Sequence, residues 1–188
     1  MSFLSQSDPD RAQLDAYLQQ TAAGDQNAFH LLYQALRTPV YRFALSQLHN
    51  CCQAEDVMQD TFCSILRYAG SYRPGTNPKA WIFSIARNQV AALKKDALAG
   101  AVSLEAIGDT LTQSDGQTAL LDSLSALEAL SILLPEEREI LSLYLYAGLR
   151  QTEIAQLLQM PYLKVRSRYG YAIKKLKAYY TKKERIQP

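Results

Sequence analysis

The residues best equipped for chemistry lie near the C-terminal end. Lys164, Arg166, Ser167, Arg168, Tyr171 and Lys174 stand close together in one stretch. Cations neutralise phosphates, while guanidinium forks, hydroxyls and phenols hydrogen-bond to base edges or phosphate oxygens. This is the chemistry of nucleic-acid binding. At about 100° per residue, Val165, Tyr169, Ala172, Ile173, Leu176 and Tyr180 form one apolar stripe of a helix. Lys164, Ser167, Gly170, Tyr171 and Lys174 fall on the opposite face, flanked by Arg166, Arg168 and Lys175. Gly170 costs about 1 kcal/mol relative to Ala in a helix interior. On an outward face it lets a phosphate backbone or a base edge come close.

The elements that must hold these residues are legible around them. Pro135 suits the first turn of a helix, where Glu136 and Glu137 complement the helix dipole. Apolar Ile140, Leu141, Leu143, Tyr144 and Leu145 follow, and Gly148 is a stop signal. A short second helix carries Ile154, Ala155, Leu157 and Leu158. Gln159-Met160-Pro161 breaks it, and a third helix runs from about Tyr162. Short helix, tight turn and basic helix make a helix-turn-helix, whose second member enters the major groove. Charge agrees. From Arg150 onward ten cationic side chains oppose Glu153 and Glu184, a net of +8. The whole chain carries +2, which leaves −6 for residues 1–149. A basic end under a near-neutral total is the footprint of a nucleic-acid binder, whereas Lys182 to Arg185 read as a solvated tail.

Other chemistries find less support. Asp56 and Asp60 share a helix face, but no histidine, glycine-rich loop or nucleophile motif accompanies them as catalytic carboxylates. We expect no catalytic residues. Cys51, Cys52 and Cys63 are an odd number of cysteines and read as reduced thiols. His49 lies near two of them without metal-ligand spacing, so we expect no metal and no cofactor. The N-terminal residues do not resemble a signal peptide, and no apolar run approaches the ~20 residues of a membrane span. A cytoplasmic protein without membrane insertion of its own is expected.

The rest of the chain has helical periodicity and no convincing strand, so the fold class is all-α. Asp10 to Ala23 puts Leu14, Tyr17 and Leu18 inward. Asp25 opens a second helix with Phe29, Leu32, Tyr33 and Leu36. Pro39 interrupts it before Tyr41, Phe43, Ala44 and Leu48 continue the period. Residues 54–69 place Val57, Met58, Thr61, Phe62, Ile65 and Tyr68 on one side, with Asp56, Gln59, Asp60, Cys63 and Arg67 on the other. That second face reads as solvated surface or as a docking face for a basic partner. After a loop at 70–76, Asn77 caps a helix with Pro78 at its first position. This helix, Lys79 to Lys95, is apolar around most of its girth, leaving Ser84, Arg87, Lys94 and Lys95 as a polar strip. With Tyr72, Arg73 and Asn77 before it, the strip reads either as plain solvated surface or as a seat for a strand of nucleic acid with an unstacked base. Trp81 reads as core. Residues 97–120 are an acidic linker, and helix resumes near Leu120. No internal repeat is found.

Two segments together resemble a bacterial RNA polymerase sigma factor of the extracytoplasmic-function (ECF) type. AEDVMQDTF at 54–62 with KAWIFSIARNQVAALKK at 79–95 is similar to sigma domain two. LPEEREILSLYLYAGLRQTEIAQLLQMPYLKVRSRYGYAIKKL at 134–176 is similar to sigma domain four. The resemblance implies domain two at 10–96, the linker at 97–120 and domain four at 121–182. It implies promoter-specific initiation with core RNA polymerase and promoter DNA as partners, and an anti-sigma factor as a further one. Asp56, Gln59 and Asp60 would meet the polymerase clamp. Tyr72, Arg73, Asn77, Trp81, Arg87, Asn88, Lys94 and Lys95 would serve the minus-10 element and its melting. Lys164, Arg166, Ser167, Arg168, Tyr171 and Lys174 would serve the minus-35 element. The chain departs from the family pattern at Leu163-Lys164, where Gly-Thr is frequent, and at Arg166, Gln159, Arg150 and Ala92. A stand-alone helix-turn-helix regulator is the alternative, but it needs neither the Asp56 face nor the Trp81 helix. An enzyme on a helical scaffold would need an assembled chemistry that the residues do not offer.

Overall fold

A computed structural model describes residues 10–99 and 127–184. The first four helices begin where a side-chain oxygen accepts from an early amide. Asp10 accepts from the Arg11 amide at the start of α1 (Arg11–Ala22), whose Leu14 and Leu18 are buried. Gly24, at φ +92, turns the chain in a conformation that side chains rarely adopt. Asp25 then caps α2 (Gln26–Leu48) by accepting from Asn27 and Ala28.

The expected interruption at Pro39 does not occur: α2 runs straight through it. Proline in a helix interior costs about 3 kcal/mol. Leu32, Leu36, Val40, Phe43 and Ala44 on the same helix are all buried, and each large apolar side chain contributes roughly 1.5–3 kcal/mol. Burial of the continuous face outweighs the lost hydrogen bond.

α3 (Cys51–Tyr68) starts three residues earlier than its apolar period suggests, because Asn50 caps it through the Gln53 amide. Tyr68, expected inward, is exposed. The chain has already begun to turn there into a short 3-10 segment, Ala69–Ser71. α4 (Pro78–Ala99) is capped by Asn77, which accepts from the Ala80 amide at 3.1 Å. It extends past Lys95 into the expected linker. The rest of that linker, and the expected restart near Leu120, lie outside the described residues.

A helical turn at 127–131 leads to α5 (Pro135–Ala147), where Glu137 reaches back to the Leu134 amide at 3.1 Å. Gly148 ends it at φ +65. α6 (Gln151–Leu157) follows an Arg150 that has no capping oxygen. Glu153 compensates by accepting from the Arg150 amide at 2.8 Å. Gln159, at φ +53, makes the turn into α7 (Tyr162–Glu184). No strand occurs among the described residues.

α1 to α4 form a bundle; α5 packs onto α2 and α4, α6 onto α4, and α7 rests on α5 and α6. One apolar core runs through both halves, joining Leu36, Phe43 and Phe83 to Ile140, Leu143 and Ile154. Where α2 meets α5, Ser46 and Ser142 are fully buried with their hydroxyl oxygens 2.8 Å apart. Small residues let the two helices approach, one hydrogen bond joins the hydroxyls, and the Phe43 carbonyl lies 2.6 Å from the Ser46 hydroxyl.

Candidate nucleic-acid interface

The outward stripe of α7 is built on an inward one. Val165 and Ala172 are buried, with Tyr169, Ile173 and Leu176 partly so. Tyr180, expected on that stripe, is exposed near the helix end. Opposite lies a shallow groove lined by Leu163, Arg166, Ser167, Gly170, Tyr171 and Lys174. Arg166 and Lys174 make no ion pair among the described residues.

Lys164 and Arg168 behave differently. Lys164 Nζ lies 2.6 Å and Arg168 Nε 2.8 Å from the Glu136 carboxylate of α5. The hydrogen bond from Lys164, aided by both cations, lowers the Glu136 pKa. Lys164 therefore stands on the flank toward α5 and not on the outward stripe, and Arg168 shares that flank. At about 100° per residue Arg168 falls on that flank, whereas Lys164 sits only about 50° from the point opposite the apolar stripe, and it is the ion pair with Glu136 that turns it aside. The same count puts Leu163 about 50° to the other side of that point, on the outward face whose groove it helps to line.

The α3 face is as the period predicts: Asp56, Gln59 and Asp60 are exposed together.

The loop and helix α4 hold the third set. Tyr72 is only 6% exposed. Its hydroxyl donates to Asp15 of α1, and its ring meets the edge of Trp81 with centroids 5.6 Å apart. Burial and the Asp15 carboxylate push the Tyr72 pKa up to about 12. The Tyr72 bond, with one from the Gly75 amide, lowers that of Asp15. The ring is thus a buried anchor for the loop and not an open stacking face, because a carboxylate from another helix draws its hydroxyl inward. Trp81 is half-buried against the core, as expected. Arg73, Asn88, Lys94 and Lys95 are exposed.

The second half of the chain engages several of these residues. Arg87 Nε is 2.8 Å from Glu139 of α5. The ammonium of Lys94 is partly desolvated although the side chain reaches solvent, which lowers its pKa. Glu139 opposes that shift, and Arg138 adds to it. Asn77 also hydrogen-bonds to Glu153 of α6. Burial would raise the Glu153 pKa, but bonds from the Arg150 amide, its guanidinium and Asn77 prevail and lower it. Arg138 donates to the carbonyls of Leu130, Ser131 and Leu133, and across to His49 Nε2 at 2.6 Å. Glu136, Glu139, Glu153 and Arg138 were not singled out from sequence as partners, since nothing local marks what a charge will face.

No cluster of metal-ligating residues is found among the described residues, and no described helix is long and apolar enough to cross a membrane.

A helical bundle carrying an acidic outer face, packed on a helix-turn-helix with an unpaired basic stripe, defines a DNA-binding protein. Family models refine the class. Sigma-70 region 2 matches residues 32–97 and Sigma-70 region 4 matches 129–178. The ECF RNA polymerase sigma factor SigK of Mycobacterium sp. (strain KMS) is 28% identical over 177 residues, covering 87% of this chain and 89% of that protein. SigL of Mycobacterium tuberculosis (strain H37Rv) is 28% identical over 161 residues, covering 83% and 90%. Among solved structures, CnrH with the cytosolic domain of CnrY matches at a TM-score of 0.69 and 24% identity, covering 90% of this chain and 97% of that one. RpoE with the anti-sigma factor NepR from Bartonella quintana matches at 0.68 and 23%, covering 85% and 98%. The chain belongs to the ECF-type RNA polymerase sigma factors. It serves promoter-directed transcription initiation.

Proposed function

We propose the following division of labour within this sigma factor. Domain two spans 10–96 and domain four 121–182, joined by an acidic linker at 97–120 that threads the polymerase cleft. Asp56, Gln59 and Asp60 dock on the clamp of core RNA polymerase. The outward stripe of α7 reads the minus-35 element, with Arg166, Ser167, Tyr171 and Lys174 facing DNA. Lys164 and Arg168 reach DNA only by leaving Glu136. The loop before α4, with Arg73, Asn77, Trp81, Arg87, Asn88, Lys94 and Lys95, engages the minus-10 element and assists melting, while Tyr72 holds the loop's shape. Because Asn77, Arg87 and Lys94 face α5 and α6, domain four swings off domain two when the promoter is bound.

The observation that carries this reading is the pair of exposed surfaces of opposite charge, Asp56–Asp60 on α3 and Arg166–Lys174 on α7. One suits a basic protein partner and the other a polyanion. The protein acts in the cytoplasm as a binding factor and not as an enzyme. An anti-sigma factor is a further partner, by analogy with the complex formed by RpoE, and exposed Leu66, Tyr68 and Leu145 give it apolar surface.

Transcription by purified core polymerase, with and without this protein, tests the reading. Wild-type protein should direct initiation from its promoters. Asp56→Arg with Asp60→Arg should abolish co-purification with core while leaving helicity intact. Unchanged co-purification would remove the docking assignment.

A further inference from the structure

We infer that Leu163 reads the 5-methyl group of a thymine in the minus-35 element, beside Arg166 as the neighbouring hydrogen-bonding reader. The inference rests on the assignment of α7 to DNA. Leu163 is the second residue of α7 and is 74% exposed, more than any other exposed large apolar side chain described. It is not held by a neighbour: it stands at the head of an open groove that continues through Arg166, Ser167, Gly170, Tyr171 and Lys174. These positions follow Leu163 at spacings of three, four, seven, eight and eleven, one face of the helix. Gly170 occupies the middle of that face, where an added Cβ would meet nothing within 4 Å. Internal packing therefore does not require glycine there, and its absent side chain lowers the centre of the stripe.

The charges nearby select the occupant. Lys164 and Arg168 are drawn sideways to Glu136, whereas Arg166 and Lys174 remain available on either side of the groove. An apolar group at the head of a groove that carries two unpaired cations further along is poorly matched to a hydrophobic protein partner and well matched to duplex DNA. In a helix-turn-helix the N-terminal residues of the second helix meet base edges. The major groove offers polar atoms on every base pair, but only thymine adds a methyl group. Leucine has no donor or acceptor, so a thymine methyl is the feature it can recognise.

The test uses holoenzyme, made from core polymerase and full-length protein, to select bound duplexes from a library randomised at the minus-35 region. Each thymine of the selected motif is then replaced by deoxyuridine, which removes the methyl alone. One position should show about fourfold weaker binding by wild type, the factor expected for one methyl-sized group returned to water. Leu163→Ala should bind the thymine duplex that much more weakly and lose its sensitivity to deoxyuridine there. Arg166→Ala should keep that sensitivity while relaxing a neighbouring position. If no position responds to deoxyuridine, or if Leu163→Ala retains the response, the inference is overturned. A uniform loss by Leu163→Ala across all sequences also overturns it and assigns the side chain to a protein partner. If holoenzyme selects no minus-35 motif and Arg166→Ala changes nothing, the assignment of α7 itself fails.

Discussion

Neighbouring residues of one type have separate jobs here. Glu136 and Glu137 both open α5, where negative charge complements the helix dipole. Glu136 turns outward to Lys164 and Arg168. Glu137 turns inward, is 2% exposed, and accepts from Lys175 Nζ at 2.7 Å as well as from the Leu134 amide. Removing one partner from a buried charge costs more than the pair gains, because the remaining charge loses its compensation. Lys175 is partly wet, which moderates the loss. Lys175→Met should destabilise the fold by about 2 kcal/mol, and adding Glu137→Gln should recover part of it. Urea melts of the two variants check this. Equal stability of Lys175→Met and wild type would mean that the Leu134 amide alone satisfies the carboxylate.

At the scale of elements, the end of α2 is a junction. His49 closes the helix at φ +55, and its Nε2 faces an arginine, which has only donors. The imidazole is therefore neutral there, with its proton on Nδ1. Burial, then Arg138 and Lys94, lower its pKa from the ordinary 6.5. A histidine held below its unfolded pKa binds fewer protons when folded than when unfolded. Stability is then greatest above 6.5 and falls as the pH drops through that value toward the lower folded pKa. Melting temperature should decline between about pH 7.5 and 5.5, and His49→Asn, which tolerates the left-handed backbone, should flatten the decline. This window lies above the carboxylate range, where the lowered pKa of Glu136 and Glu153 would add a separate loss on acidification. An unchanged slope in His49→Asn would assign the pH dependence elsewhere.

The whole molecule is closed, with α5 and α6 lying over part of the α4 face. If promoter engagement requires that face, holding the halves together should prevent it. Ser46 and Ser142, with hydroxyl oxygens 2.8 Å apart, offer the place to do so. In a background with Cys51, Cys52 and Cys63 replaced by serine, Ser46→Cys with Ser142→Cys should crosslink on oxidation. Open-complex formation on duplex promoters should then fall at least about tenfold, a barrier of roughly 1.4 kcal/mol or more, and reduction should restore it. Equal initiation by oxidised and reduced protein, with the crosslink confirmed, would show that the closed arrangement is competent.

What the sequence by itself determined is what local physics decides. Asn77 before Pro78, Pro135 with Glu136 and Glu137, and Gly148 mark helix ends because each acts on backbone groups within a turn of itself. Apolar spacing gave the exposed Asp56 face and the buried Val165 and Ala172, since periodicity separates inside from outside. It also puts Leu163 on the outward face, where an apolar residue among cations does not by itself announce a contact. Only the tertiary structure decided which internal partner these side chains would meet. Asp15 from α1 draws Tyr72 out of reach of a base, Glu136 claims Lys164 and Arg168, and α5 lies against Arg87. Pro39 belongs to the same group: the local rule breaks the helix there, and long-range burial of Leu36, Val40 and Phe43 overrules it. Such contacts join residues far apart in the chain, and their free energy depends on a packing that no single segment encodes.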